Sequence, residues 1–282
     1  PPAHPTVARR GRADAGGARA WRSKMTLTVR GGRKGGADRQ ARMGDRVIVV
    51  ARRGSWVKVV VPDQPTPLDA RGYPGWVPTA QLTASRPVAS GLVATVVART
   101  TYLRTDNPSV TPVTEISFGT RLPRVGSTGA WVRVATPTGR VLRLAASVVS
   151  VRAPNVAALA RAGGDVVRTA RMFSGLPYLW AGRSGFGFDC SGLTSLDLRA
   201  HGMIIPRDAD AQARKGRVVS RSALRPGDLL FYATRGHVHH VSIYAGNGRM
   251  VQSPKTGSAV QTIPLSTPAY AREYAGARRA IG

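Results

Sequence analysis

The sequence predicts an α+β protein in which two small β-barrels precede a third domain that mixes helices and strands. The length of 282 residues suits two or three domains. The composition, with 32 Gly, 20 Pro and 6% aromatic residues, favours short strands and turns over long helical bundles. One strand pattern also occurs twice before the first helical segment begins at Pro154. Because 42% of the residues are apolar, the chain can form a core and is not a wholly disordered basic protein.

The beginning of the chain is predicted to be a disordered basic arm. Residues 1–25 are rich in Pro, Gly, Ala and Arg and show no hydrophobic periodicity. The chain starts without Met and has no basic segment followed by an apolar one, so we expect any export signal to be absent or already removed. No run approaches the ~18 apolar residues of a transmembrane helix, and no membrane span is predicted.

An internal repeat follows the arm. The segment GSWVKV at 54–59 has a counterpart, GAWVRV, at 129–134, and each is followed by a turn and a final strand. This repeat predicts two small β-barrels, at 26–85 and 86–152, in which the Trp of each repeat is a core residue. Both segments resemble bacterial SH3 (SH3b) domains. The resemblance is weaker in the second, which lacks a GWV strand like that of the first.

The third domain, 153–282, is predicted to begin with helices. Residues 154–174 have a helical pattern that the pair Gly163-Gly164 divides, and Asp165 is positioned to cap the second helix.

The only Cys of the chain lies at a predicted helix start. Cys190 precedes an apolar helical stretch that ends at Gly202, which places the thiol in the first turn of that helix. The helix dipole and the free N–H groups there stabilise a thiolate, so the sequence predicts a lowered thiol pKa and a nucleophile. The alternative is a small buried apolar side chain.

A predicted β-hairpin supplies the partners of this thiol. Residues 237–244 form a strand pattern, the turn Gly-Asn-Gly follows at 246–248, and a second strand returns over 249–253. Alternation places Gln252 across the hairpin from His240. Cys, His and a polar amide can serve as nucleophile, base and orienting group.

Two further histidines, His237 and His239, are expected at an exposed strand edge. Three His within four residues can also bind a metal, but no acidic partner lies at ligand spacing, so no metal site is predicted.

Residues 163–266 resemble the NlpC/P60 cysteine peptidases of bacterial cell walls. The resemblance rests on six segments in matching order and spacing: PYLWAG at 177–182, FDCSG at 188–192, IPRD at 205–208, LRPGDL at 224–229, HVSIY at 240–244 and GNGRM at 246–250. It implies a papain-like α+β domain with a Cys-bearing helix packed on an antiparallel sheet, and a monomer that needs neither a metal nor an organic cofactor.

The resemblance also carries roles onto individual residues. It implies Cys190 as the nucleophile, His240 as the general base and Gln252 at the third polar position, where the family commonly has His. Tyr178 corresponds to a Tyr near the oxyanion, with Trp180 as a wall of the pocket.

Substrate contacts are implied on both sides of the nucleophile. Asp189 and Ser191 flank Cys190 and are expected to bind a free amine of the substrate. Tyr73, in the turn GYPGW at 72–76, corresponds to a Tyr that the SH3-like domain of some relatives contributes to the rim of the site. Ala181 stands where Gly is more usual.

The predicted activity is that of a peptidoglycan stem-peptide hydrolase, a cysteine endopeptidase that cleaves the amide between the γ-D-glutamyl residue and the diamino acid. Peptidoglycan or muropeptides are the expected substrate, and the expected location is outside the cell or in the envelope. Selection for a free N-terminal L-Ala is expected from Tyr73, Asp189 and Ser191.

The charge of the chain adds a second kind of partner. Its 42 Lys and Arg against 14 Asp and Glu give a net charge of +28, a field that attracts polyanions such as wall polymers or nucleic acid. The chain carries no zinc-finger spacing or RNA-recognition signature, so no specific nucleic-acid binding is predicted. Three alternatives stay open: a non-catalytic wall-binding protein, an acyltransferase with the same Cys-His chemistry, and a nucleic-acid binder.

Overall fold

The computed structural model describes residues 39–84 and 91–281, which form two β modules and a mixed α/β domain. The predicted arm at 1–25 lies outside the described residues. Within the described ranges, no helix is long and apolar enough to cross a membrane.

The first module is an antiparallel sheet in the order β1-β2-β3. Its strands are β1 (Ile48–Arg53), β2 (Trp56–Val61) and β3 (Tyr73–Pro78). Strand alternation directs Val57, Val59 and Val77 into its core. Trp56, one residue before Val57, therefore lies half-buried on the other face.

The second module is a larger antiparallel sheet in the order β10-β4-β7-β8-β9-β5-β6. Its strands are β4 (Val93–Val96), β5 (Thr100–Thr105), β6 (Pro112–Ser117), β7 (Arg121–Thr128), β8 (Trp131–Ala135), β9 (Val141–Ala145) and β10 (Val149–Arg152). Val132 and Val134 point into the core, whereas Trp131 lies half-buried under the guanidinium of Arg143, 5.0 Å from the ring centroid. The prediction that the repeated Trp residues are core residues is therefore wrong, because the neighbouring Val residues occupy the inward positions.

The segment between the second module and the mixed domain is not helical. Residues 154–162 form turns, and the first helix, α1, spans Gly163–Met172. The backbone of the turn segment bonds instead to the end of the helix that begins at Cys190: the Leu159 N–H donates to Ala200 O at 3.0 Å, and Ala160 O pairs with a ring nitrogen of His201. The predicted first helix is wrong because these tertiary hydrogen bonds replace helical ones.

The mixed domain packs its helices on an antiparallel sheet. After α1, its elements in chain order are β11 (Arg183–Ser184), β12 (Gly187–Phe188), α2 (Cys190–Ala200), α3 (Ala209–Gln212), β13 (Arg217–Val219), β14 (Leu229–Thr234), β15 (His237–Gly246), β16 (Arg249–Gln252), β17 (Gln261–Pro264), α4 (Pro268–Glu273) and β18 (Tyr274–Arg279). The sheet has six strands in the order β13-β18-β14-β15-β16-β17. Its core contains Val166 and Phe173 of the α1 region, Leu193 of α2 and Val241 of β15. The α+β fold class predicted from the sequence is confirmed.

The helix α2 contains a fully buried acid–base pair. Asp197 and His201 lie one turn apart, with 3.3 Å between carboxylate and ring nitrogen, and Thr169 of α1 approaches the same nitrogen at 3.1 Å. Burial raises the pKa of Asp197 to about 7, although His201 opposes this shift.

The first module is bonded directly to the mixed domain. The Arg183 N–H donates to Gln40 Oε1 at 2.7 Å, and Arg199 forms an ion pair with Asp63 at 3.0 Å. The module thereby contacts the mixed domain at Arg183 and at the last turn of the helix that spans Cys190–Ala200.

Candidate active site

Cys190 is the first residue of α2, as predicted. Asp189 caps the helix by accepting a hydrogen bond from the Gly192 N–H at 2.6 Å. The thiol is half-buried, and the backbone N–H of Val241 in β15 donates to its sulfur. This contact places Cys190 beside the strand that carries His240.

The environment of the thiol raises its pKa. Burial is the largest cause and the Asp189 carboxylate adds to it, while the N–H groups of Val241 and Ser191 and the charge of Arg207 oppose the shift; the pKa of Cys190 rises to about 12. The prediction of a lowered pKa is therefore wrong for the resting enzyme, because desolvation outweighs the helix terminus.

His240 and Gln252 face each other across the predicted hairpin. Strands β15 and β16 pair in antiparallel register, and His240 Nε2 lies 2.6 Å from Gln252 Oε1. Both side chains are buried. Burial lowers the pKa of His240 to about 4, although the hydrogen bond to Gln252 raises it, so the imidazole is neutral at pH 7.

Tyr270 is a site residue that the sequence reasoning missed. Its ring centroid lies 5.5 Å from that of His240 and 5.3 Å from that of Tyr232, which also packs 5.5 Å from His240. Burial raises the pKa of Tyr270, and the nearby Gln252 side chain opposes this shift. Among the described residues, no partner satisfies Gln252 Nε2 at hydrogen-bond distance. No sequence motif predicts that Tyr270 belongs to the site, because it lies in a short helix well beyond the hairpin.

Tyr178 lies near Cys190. Its backbone N–H donates to Ser258 O at 2.8 Å, and its ring is buried. Burial raises the pKa of its hydroxyl, as do the adjacent charges of Asp189 and Cys190. Trp180 is half-buried, and Ala181 adopts a left-handed backbone with φ +62°, which explains why Gly suits that position.

Asp189 and Ser191 do not present free polar groups. Arg207 donates to the two oxygens of Asp189 at 2.9 and 2.7 Å and to Ser191 Oγ at 2.9 Å. The structure thus differs from the expectation that Asp189 awaits a substrate ammonium, since its carboxylate already forms a buried ion pair.

Tyr73 of the first module reaches Asp208, which follows Arg207 in the mixed domain. Arg39 donates to both the Tyr73 hydroxyl and the Asp208 carboxylate. Burial raises the pKa of Tyr73, and the carboxylate of Asp208 adds to the effect. Asp208 belongs to the IPRD segment quoted for the family resemblance, but nothing in that motif predicts its contact with another module.

The remaining histidines stand apart from this arrangement. His237 and His239 are exposed, and His239 lies 3.4 Å from Glu273. Across residues 39–84 and 91–281, no three His, Cys, Asp or Glu side chains gather in a way that could hold a metal ion.

Comparisons with known proteins match both parts of the chain. The NlpC/P60 family model matches residues 175–279, and the YKFC SH3b2 domain model matches residues 96–151. The chain is 43% identical to the gamma-D-glutamyl-L-lysine dipeptidyl-peptidase of Bacillus cereus, over 85% of this chain and 74% of that protein. It is 37% identical to the Bacillus subtilis protein of the same name, over 93% of this chain and 88% of that one.

A solved structure agrees along nearly the whole length. The crystal structure of an NlpC/P60 family protein from Bacillus cereus superposes with a TM-score of 0.88 at 39% identity, covering 94% of this chain and 90% of that one.

A Cys-bearing helix packed on a sheet that presents a His–amide pair defines a cysteine peptidase with a papain-like arrangement. The chain belongs to the NlpC/P60 family. The predicted family and enzyme class are confirmed, and so is an SH3b domain within the second module, for which the weaker resemblance was expected.

Proposed function

We propose that this enzyme hydrolyses the amide bond between the γ-D-glutamyl residue and the following diamino acid of a peptidoglycan stem peptide. The observation that carries the proposal is the placement of Cys190 beside the His240–Gln252 pair, in a chain whose relatives over most of its length are gamma-D-glutamyl-L-lysine dipeptidyl-peptidases.

Covalent catalysis follows from this arrangement. His240 Nδ1 accepts the proton of the thiol while Cys190 Sγ attacks the carbonyl carbon. The Cys190 N–H and the Tyr178 hydroxyl stabilise the oxyanion of the tetrahedral intermediate. His240 then protonates the leaving amine, the C–N bond breaks and a thioester remains. Water, activated by His240, attacks the thioester and releases the carboxylic acid and the thiol.

The proton transfer belongs to the attack itself. Burial keeps the thiol and the imidazole neutral at pH 7, because it raises the pKa of Cys190 and lowers that of His240. Gln252 is neutral as well, so it orients the imidazole through a hydrogen bond but does not stabilise imidazolium as a carboxylate would.

The first module closes one side of the site and favours a short substrate end. Tyr73 of the first module and Asp208 of the mixed domain contact each other at the boundary between these two parts. Asp208 and Asp189 each pair with an arginine, Arg39 and Arg207 respectively. The side chain of Asp208 is 26% exposed against 9% for Asp189, so Asp208 is the carboxylate that a substrate ammonium can reach. Trp180 completes the proposed binding surface. A stem peptide with a free N-terminal L-Ala fits this chemistry.

The basic surface is proposed to hold the enzyme on anionic wall polymers. A net charge of +28 supports attraction to phosphate-rich polymers, and this binding should weaken steeply with salt. Action in the envelope or outside the cell, by a monomer, completes the proposal.

The deciding experiment digests synthetic L-Ala-γ-D-Glu-L-Lys and L-Ala-γ-D-Glu-diaminopimelate and identifies the products by mass spectrometry. Free L-Ala-D-Glu and the free diamino acid are expected, with none from Cys190→Ala. A product acylated on an added amine, in place of the free acid, would show an acyltransferase. Absence of turnover on both peptides and on muropeptides would show a wall-binding protein.

A further inference from the structure

We infer that Arg207 is a positioning residue for the nucleophile, which orients the start of α2 and offsets the negative charge of Asp189 beside Cys190. The inference rests on the proposed function, because it takes Cys190 as the nucleophile.

The contacts of the two terminal nitrogens of Arg207 are buried. Its side chain has no exposure, and its two terminal nitrogens form a two-pronged ion pair with Asp189 at 2.9 and 2.7 Å. One of them also donates to Ser191 Oγ at 2.9 Å, and the other approaches Gly182 O at 3.4 Å. A fork of this kind fixes direction as well as distance. Arg207 therefore holds the residues immediately before and after Cys190.

The charge of this pair matters because of its position. Asp189 caps α2 and lies next to the thiol, so an uncompensated carboxylate there would oppose the negative charge that develops on sulfur during attack. The positive charge of Arg207, in direct contact with the Asp189 carboxylate, compensates it. Their effects on the thiol have opposite signs: Asp189 raises the pKa of Cys190, and Arg207 lowers it.

The other groups around the thiol do not replace this charge. His240 is neutral at pH 7, and the hydroxyls of Tyr178 and Tyr270, whose pKa values burial raises, are neutral too. Asp208 faces Arg207 and raises its pKa together with Asp189. In the part of the chain that the structure describes, Arg207 is the one charged residue acting on the thiol that favours its ionisation.

Arg207 also connects the nucleophile to the first module. Its backbone N–H donates to Pro65 O at 2.9 Å, in the segment that precedes β3. The guanidinium position is therefore set partly by a domain outside the peptidase fold.

The test measures the rate of iodoacetamide alkylation against pH, which reports on Cys190 alone because the chain has one Cys. R207M should move the alkylation midpoint to higher pH and slow alkylation at pH 7 at least tenfold. D189N, which keeps a good helix cap, should move the midpoint to lower pH. The double variant D189N/R207M should return close to the wild-type midpoint. R207K should keep the midpoint but lower kcat several-fold with little change in KM, because it retains charge without the fork.

A merely structural role would not give shifts of opposite sign. R214M, at an exposed ion pair of the same region, is the matched control and should leave the midpoint unchanged. A folded R207M with the wild-type midpoint, or a double variant that alkylates as slowly as R207M, would overturn the inference. If R207M does not fold, D189N decides, since an unchanged or higher midpoint contradicts the charge argument. Alkylation needs no substrate, so these outcomes are separate from a failure to cleave stem peptides.

Discussion

His240 Nε2 donates a hydrogen bond of 2.6 Å to Gln252 Oε1, and this contact decides which imidazole nitrogen can act as the base. With the proton on Nε2, the unprotonated Nδ1 is the nitrogen available to the thiol. An amide fixes this tautomer without adding charge. At this position a charged or titratable partner would stabilise the imidazolium electrostatically. Gln252 instead only orients a buried imidazole.

Replacing the nucleophile or the base should abolish hydrolysis. Cys190→Ala and His240→Ala should each lower kcat/KM roughly a thousandfold or more, because the two groups act as one unit. His239→Ala is the matched control and should keep activity within about twofold of wild type, since this side chain is exposed and paired with Glu273. Equal losses at both histidines would contradict the assignment of the base.

The acidic limit of activity should lie well below the ordinary range of histidine. Because burial lowers the pKa of His240 to about 4, the base stays neutral until the pH falls to that value, and kcat/KM should drop only below it. The same depressed pKa means that the stability contributed by the neutral imidazole is lost as the pH falls from about 6.5 towards 4. Rates should therefore be measured from pH 3.5 to 8 with circular dichroism at each point. A fall of kcat/KM near pH 6.5 in the folded enzyme would contradict a His240 pKa lowered by burial.

Tyr270 should control that limit through its ring. Tyr270→Ala opens the His240–Gln252 pair to water, so the pKa of His240 should rise towards its ordinary value and the acidic limb should move to higher pH. Tyr270→Phe keeps the ring and should leave the limb in place, with kcat reduced a few-fold by loss of the hydroxyl near Gln252. The same limb in both variants and wild type would show that the ring does not shield the base.

The buried Asp197 should make stability depend on pH in the opposite direction. Its pKa is raised to about 7, so the folded state holds a proton that the unfolded state loses near pH 4, and stability from this group falls as the pH rises from about 4 to 7. Asp197→Asn removes the titration. Its stability relative to wild type should therefore improve by roughly 2 kcal/mol between pH 5 and 8, measured by urea unfolding. Parallel stability curves for the two proteins would contradict the raised pKa.

A free amine on the substrate should be required. Wild type should cleave L-Ala-γ-D-Glu-diaminopimelate with a kcat/KM about tenfold or more above that of its N-acetyl form, because the acetylated peptide lacks the ammonium that would share the Asp208 carboxylate with Arg39. Tyr73→Phe should reduce this preference and leave the rate on the acetylated peptide nearly unchanged. Equal kcat/KM values of wild type on the free and the N-acetyl peptide would contradict the proposal that a free amine is required.

The sequence predicted those parts of the site that local signals specify. A helix start at Cys190 follows from an apolar helical stretch that ends at Gly202, and the His240–Gln252 contact follows from a Gly-Asn-Gly hairpin. The roles of Arg207 and Tyr270 were not predicted, because each residue reaches the site from a distant segment and neither carries a periodic signal. The thiol pKa was predicted with the wrong sign because a helix terminus is visible in sequence, whereas the depth of burial is not.

The hydrogen bonds of Arg183 bear on how the enzyme can be taken apart. This arginine belongs to the peptidase domain and is almost wholly buried, yet it bonds to Gln40 and to the carbonyl of Asp63, both in the first module. A truncated chain that kept only the peptidase domain would leave the Arg183 backbone N–H without Gln40 Oε1 and the guanidinium without the Asp63 carbonyl, and water would have to replace both acceptors. We therefore expect the first module to be an integral part of the folded enzyme. Replacing it with another binding domain should lower activity, and the first module and the peptidase domain should unfold in one cooperative transition.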